Sequence, residues 1–338
     1  MNALDTIRPD PGGRHIFVDA VARYAAQTRD GRVAAVERRL RAPLRLAVTG
    51  RPGVGRALVA AALQGPEFVT VADRQPADLR VLVVVESLKP EERELLRSSP
   101  VPTVVVLNKA DLAGADPGGP LAGAHRTAVR LSASTGAAVV PMIALLARVQ
   151  LTDDDVAALR VLVSEPADMT CTDAFVSAKH RLPAAQRARL LATLDRFGLA
   201  HALLAVAAGA QVPAVVRELR ELSQTDRVCE QLAAAAAPVR YRRACEAVGE
   251  LGVLAARTGD DALAAFLAGD EVVLGLMSAA VDVVQACGVR VDPGDSPEAH
   301  LRRAVHWRRY AGGPVSPIHH RCAGDITRGS LRLLSRSR

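Results

Sequence analysis

Aromatic residues are scarce, at 3% of a 338-residue chain, and Ala is abundant in their place, which argues for closely packed helices over a β-sandwich. Lysine occurs only at Lys89, Lys109 and Lys179. The formal charge of +7 is therefore carried by Arg, as a GC-rich coding sequence would give, and is discounted as a sign of a nucleic-acid partner. The five cysteines, Cys171, Cys229, Cys245, Cys287 and Cys322, form an odd set without CxxC spacing. That excludes a zinc ribbon or a disulfide framework and reads as small core residues of a reducing compartment. His319 and His320, near Cys322 and Asp325, have no second cluster to complete a metal site. Met1 to Gly13 lacks the apolar core of a signal peptide. The most hydrophobic later window, Leu199 to Val216, is interrupted by His201, Gln211 and Pro213 and is too short to span a bilayer. The expectation is a cytoplasmic protein, with peripheral contact on the inner face of a membrane left open.

With 49% of its residues hydrophobic, the chain can bury a substantial core, and its length suggests two domains. The most informative stretch is Gly50-Arg51-Pro52-Gly53-Val54-Gly55-Arg56-Ala57, which has the spacing of a phosphate-binding P-loop. Such a loop joins a strand to a helix, points backbone N–H groups at phosphate oxygens and adds the positive end of the helix dipole. Leu44 to Thr49 reads as the strand and Leu58 to Leu63 as the helix. Two side chains are missing, however. Arg56 stands at the position of the lysine that reaches the β- and γ-phosphates, and a planar fork is no equivalent of a compact ammonium. Ala57 stands at the Mg²⁺-ligand position and cannot coordinate anything. Taken alone, the stretch is equally readable as a tight turn that needs small residues.

Asn108-Lys109-Ala110-Asp111 follows the β-branched run Pro102 to Leu107, which has the composition of a buried parallel strand. NKxD at the end of such a strand resembles the guanine-reading element of Ras-like and dynamin-like GTPases. The resemblance covers roughly residues 40 to 150. It implies that Asp111 accepts the N1 and N2 donors of guanine, that Asn108 braces the loop and that the Lys109 stem packs over the base. In the same class a Ser-Ala-Leu element closes the base site. Ile143-Ala144-Leu145 matches it with an apolar residue in place of the serine, provided that Leu121 to Thr135 is the crossover helix, Gly136 its stop and Ala137 to Ile143 the next strand. Backbone contacts from Ala144 and Leu145 could survive that change.

The chain also departs from the class. Asp78 to Val85 reads as a strand, and Pro90-Glu91-Glu92 suits the first turn of a helix. Only Gln64 to Ala77 is then left for switch I, a further strand and the DxxG of switch II, and no DxxG is present. Thr70 and Asp73 are the sole candidates for a switch residue, and both read as ordinary strand and turn residues. Without a γ-phosphate sensor the usual order–disorder switch has no moving part.

Around this region the spacing predicts helices within His15 to Leu40, broken at Asp30-Gly31, and a helix Val156 to Val163 capped by Thr152. Ser164 to Arg181 reads as a linker. Beyond it, helices are expected at about 183–197, 200–208, 212–223, 226–237, 239–257, 260–268, 270–287, 296–311 and 316–334, with an extended piece at Gly288 to Val291. The expected architecture is a reduced α/β, P-loop G-domain-like parallel sheet followed by an all-α domain. Its segments are a helical lead (1–40), a degenerate G domain (41–165), a linker (166–182) and the helical domain (183–338).

The function expected from the resemblance is that of a pseudo-GTPase, a regulatory or scaffold partner of an intact GTPase paralogue. It would bind GDP or GTP weakly and without a tightly held Mg²⁺. The phosphates would lie on Gly50, Arg51, Gly53, Val54, Gly55, Arg56 and Ala57, and the base on Asn108, Lys109, Asp111, Ala144 and Leu145. One alternative is a slow Mg²⁺-dependent GTPase. The other is an RNA- or anion-binding module built on His300, Arg302, Arg303, His306, Trp307, Arg308, Arg309 and Tyr310, for which the competing reading is a core Trp with a solvated Arg face.

Overall fold

The computed structural model describes residues 16–72, 75–114 and 117–337. His15 and Asp73, two of the positions singled out above, lie outside the described residues. The chain divides into two compact units: Leu44–Leu232, and a helical unit drawn from Met1–Pro43 together with Ala233–Arg338. The boundaries expected at 165 and 183 fall inside the first of these.

Leu44–Leu232 is an α/β unit built on a five-stranded, wholly parallel sheet of order β2-β1-β3-β4-β5. The strands are β1 (Leu44–Gly50), β2 (Phe68–Val71), β3 (Leu79–Val84), β4 (Thr103–Leu107) and β5 (Val139–Pro141). Nearly continuous Val and Leu in β3 and β4 suit strands covered on both faces, and Val81 to Val84 and Val104 to Leu107 are buried. The order is one of the two common doubly wound arrangements and puts the topological switch between β1 and β3. Parallel neighbours ordinarily need a long crossover. Here β2 leaves the sheet at Val71, level with Ala47, while β3 enters at Leu79, level with Leu46. The chain has to move sideways past β1 but not back along it, so residues 72–78 suffice. The Asp78 carboxylate fixes the landing by accepting from the Arg45 N–H at 2.7 Å.

The helices of this unit are α3 (Arg56–Leu63), α4 (Pro90–Ser98), α5 (Gly119–Thr135), α6 (Asp153–Ser164), α7 (Thr172–Ser177), α8 (Ala184–Ala207) and α9 (Val212–Leu222). Gly136 ends α5 in the left-handed region at φ 70°, and Thr152 caps α6 through the Asp155 N–H, both as the sequence predicts. Residues 166–182 are no free linker. They contain α7, whose Phe175 is buried, and the buried Arg187 of α8 donates to the carbonyls of Phe175 and Ala178.

One apolar core joins Leu107 and Ala110 to Leu146 and to Leu190, Leu194, Leu199 and Leu219 of α8 and α9. The expected break at Gly198 is displaced to Asp195, which has φ 54° and ψ −178° within α8. Gly198 is helical, and its missing side chain lets α8 pass close to Leu146: a Cβ there would lie 2.8 Å from Leu146 Cδ2. By length and composition α8 could cross a membrane, as could the helices Asp261–Ala268 and Asp270–Ala286 taken together, among the described residues.

The helical unit contains α1 (Ile16–Thr28), α2 (Gly31–Arg41), α11 (Asp261–Ala268), α12 (Asp270–Ala286), α13 (Pro297–Ala311) and α14 (Pro317–Arg336). The chain enters it within α10 (Thr225–Thr258). Pro238 was expected to divide α10 into two helices but sits inside a continuous one. A proline there removes a backbone bond and favours a kink; Ala236, Ala237, Val239 and Tyr241, buried on either side of it, supply packing that offsets the loss. Residues 288–291 form no strand among the described residues. Phe17 packs onto α12 at Gly275, where a Cβ would come within 2.8 Å of Phe17 Cβ.

Two glycine substitutions in helices should separate packing from propensity. Gly198→Ala is expected to destabilise the protein by a net of up to about 2 kcal/mol, the clash with the buried Leu146 costing about 1–3 kcal/mol against about 1 kcal/mol gained in helix propensity. Gly249→Ala in α10, with nothing within 4 Å of the added carbon, should stabilise it by about 1 kcal/mol. Thermal melting of the two variants against wild type checks both signs.

Candidate functional site

The loop from Gly50 to Ala57 leaves β1 at its carboxyl end and runs into α3. Gly50 (φ 147°) lies so close to β3 that a Cβ would be 2.4 Å from the Val83 carbonyl oxygen. Gly55 (φ 89°) meets Asn108 in the same way, its notional Cβ falling 2.4 Å from Asn108 Nδ2. Gly53 (φ 83°) faces open space and is required for its backbone conformation alone. The glycines therefore serve both curvature and close approach. Val54 is buried, while Gly53, Arg56 and Ala57 are exposed. The first N–H groups of α3 have no partner within the helix, and the N-cap residue, Gly55, has no side chain to supply one.

Asn108 joins the parts. Its amide is buried, Nδ2 donates to the Val54 carbonyl at 2.8 Å, and Oδ1 accepts from the Ala144 N–H at 3.0 Å. Its own N–H donates to the Val84 carbonyl of β3 at 2.8 Å. One side chain thus ties the glycine loop, the end of β4 and the turn after β5 into a single assembly. Ile143, at the first position of that turn, donates to the Ser223 carbonyl at 3.0 Å. Ala144 is buried and Leu145 partly so. The Ala144 N–H, which the sequence offers to a ligand, is already engaged by Asn108.

Lys109 is exposed and held in the left-handed region at φ 56°. Ala110 is buried in the core beside it and donates to the Met142 carbonyl at 3.1 Å. Asp111 is half-buried; burial, and next the charge of Asp195, raise its pKa, against the opposing pull of Lys109. Glu86, also left-handed at φ 61°, and Lys109 line a cleft of about 280 Å³ with Asn108, Leu112 and Thr127.

Arg51 is occupied: its Nε donates at 2.8 Å to Glu92 in the first turn of α4. Neither that partner nor the approach of Asp195 to Asp111 is signalled by any spacing in the sequence. Thr70 lies in β2 and donates to Gln64 Oε1 at 2.9 Å. β2 ends three residues before the level of Gly50, so it does not extend to the loop.

The remaining candidates scatter. Of the basic aromatic cluster on α13, Trp307, His300 and Arg303 are buried. Arg303 donates to the Asp292 and Gly294 carbonyls at 2.8 and 3.0 Å, to Ser330 Oγ at 3.0 Å and to His300 Nδ1 at 2.7 Å. It clamps the segment before α13 and presents no charge to a ligand. His319 Nδ1 is bonded to the Tyr310 hydroxyl at 2.8 Å. The cysteines divide: Cys322 is buried, but Cys171 and Cys287 are exposed and are not core residues. Among the described residues no group of three or more His, Cys, Asp or Glu side chains is arranged to hold a metal.

No family model matches the chain, and no match was found among curated proteins.

Two measurements follow from this geometry. Asn108→Ala leaves the Val54 carbonyl and the Ala144 N–H buried without their partner, so it should lower stability by about 1–3 kcal/mol for each group, read from urea unfolding. In the helical unit, burial and then the Arg303 charge depress the His300 pKa. The unfolded chain therefore takes up this proton at a higher pH than the folded one, and stability falls as pH drops below about 6.5. His300→Gln should flatten that slope in unfolding measured between pH 7.5 and 5.

Proposed function

We propose that this protein is a catalytically degenerate G-domain protein of the Ras-like and dynamin-like class. It acts as a regulatory or scaffold partner of an intact GTPase paralogue and binds guanine nucleotide weakly, without a tightly held Mg²⁺. The observation that carries this reading is the Asn108 amide, which gathers the glycine loop, the Asn108-Lys109-Ala110-Asp111 element and the Ile143-Ala144-Leu145 turn at one end of the sheet.

That end is the carboxyl edge of the strands at a topological switch point, where doubly wound folds bind their ligands. The N-terminus of α3, entered through Gly55, suits phosphate oxygens. Asp111 suits the N–H donors of guanine. Its raised pKa gives the expected pH dependence: binding weakens on acidification, as the carboxylate that accepts those donors takes up a proton.

The same geometry argues against turnover. Phosphoryl transfer relies on metal-assisted positioning and charge stabilisation. Ala57 offers no oxygen to a metal, Arg56 replaces the lysine, and β2 stops short of the loop. Losing the lysine contact alone removes about 1.5–3 kcal/mol of charge-assisted hydrogen bonding. What remains suits a protein that is read by others and does not turn over.

Calorimetric titration with GDP, GTP and ATP, with and without Mg²⁺, alongside a phosphate-release assay, tests this. GDP should bind with a Kd of about 1–100 μM irrespective of Mg²⁺, and Asp111→Ala should weaken it about 10- to 150-fold. Mg²⁺-dependent phosphate release would replace this reading with that of a slow GTPase.

A further inference from the structure

The glycine loop is attached to α4 through one charge pair. Arg51 Nε donates to Glu92 Oε1 at 2.8 Å, and the Glu92 side chain is 5% exposed. The second Glu92 oxygen accepts from the Lys89 N–H at 2.8 Å, closing the first turn of α4. Glu92 therefore holds the loop with one oxygen and the helix start with the other. A buried carboxylate stripped of its cation is strongly penalised, so whatever displaces Arg51 is felt at Glu92. Arg51 itself is 37% exposed on its side chain and stands directly after Gly50, which is pressed against the Val83 carbonyl. With the backbone of Gly50 held by that approach, the part-exposed Arg51 guanidinium is the group at this corner that a ligand can redirect.

We propose that the Arg51–Glu92 pair is the device by which occupancy of the loop is sensed at α4. The proposal rests on the nucleotide-binding reading above and adds to it the element that does the work of the missing switches. Phosphate oxygens in the loop compete with Glu92 for the Arg51 guanidinium. As Arg51 turns to the phosphates, Glu92 loses its cation and the first turn of α4 loosens. The exposed charges Glu91, Arg93, Glu94 and Arg97 of α4 then form the surface whose order changes with ligand, and a protein partner reads that surface. Coupling is reciprocal: a partner that holds α4 ordered lowers the affinity of the loop for phosphate.

Hydrogen–deuterium exchange of the full chain, with GDP and separately with pyrophosphate, reads the helix directly. Ligand should accelerate exchange of the amides of Lys89, Arg93 and Glu94, the first that this turn protects, about fivefold or more, the lower end of the usual range of coupling free energies. In Glu92→Gln, whose amide oxygen can still accept from the Lys89 N–H and which buries no charge, this turn should stay protected and not change on adding ligand. Because the ligand no longer has to break the pair, Glu92→Gln should also bind GDP about fivefold more tightly. A carboxylate that served packing alone would leave affinity unchanged or lower it. Arg51→Gln should still bind, more weakly, with α4 unmoved, and thermal melting verifies that both variants are folded. Nucleotide binding by wild type with α4 exchange unchanged or slowed would overturn the proposal while leaving the nucleotide reading intact. If wild type binds neither GDP nor pyrophosphate, the nucleotide reading fails and the proposal with it.

Discussion

The α/β unit depends on a single buried amide. Asn108 has one donor to the Val54 carbonyl, one acceptor for the Ala144 N–H and its own backbone bonded to β3, so three segments distant in sequence share its orientation. A buried primary amide has few ways to be satisfied, and each alternative rotamer would leave a carbonyl and an N–H without partners in the core. That is a stronger constraint than apolar packing, which tolerates exchange of one aliphatic side chain for another. It also accounts for Gly55, since any side chain there would occupy the space of the amide.

The helices and strands were legible in the sequence wherever local chemistry decides them. Thr152 caps α6 and Gly136 stops α5 because each supplies what that end of a helix lacks, and Pro90 opens α4 because it has no N–H to leave unpaired there. Positions where a distant contact decides were not legible. Gly198 reads as punctuation but is a contact point for Leu146, and Pro238 reads as a break but lies in a helix packed on both sides of it. The segment 166–182 has the composition of a linker, yet Phe175 and the two carbonyl bonds to Arg187 anchor it. For the site, spacing identified the two motifs, whereas the pairing of Arg51 with Glu92 and the neighbourhood of Asp111 and Asp195 arise from tertiary structure alone.

The stagger of β2 against β3 explains why no residue of β2 reaches the glycine loop. A short crossover is admissible only because β2 ends early, level with Ala47. Extending β2 far enough to bring a residue to the glycine loop would also lengthen the return path to β3. A compact connection and a strand-borne sensor of the loop are therefore alternatives in this sheet, and the chain has the first.

The helical unit is assembled from the two sides of the chain, with Leu44–Leu232 between them. On a ribosome α1 and α2 emerge before the α/β unit, and the helix that receives Phe17, α12, emerges more than two hundred residues later. At about 5–20 residues per second the interval is on the order of 10–50 s, long enough for the α/β unit to fold in between. During that time Phe17, Val21, Val33 and Val36, which share one buried cluster with residues of α10, α11 and α12 in the finished protein, lack those later partners, so the nascent chain carries these apolar side chains uncovered until the last of the three helices is made.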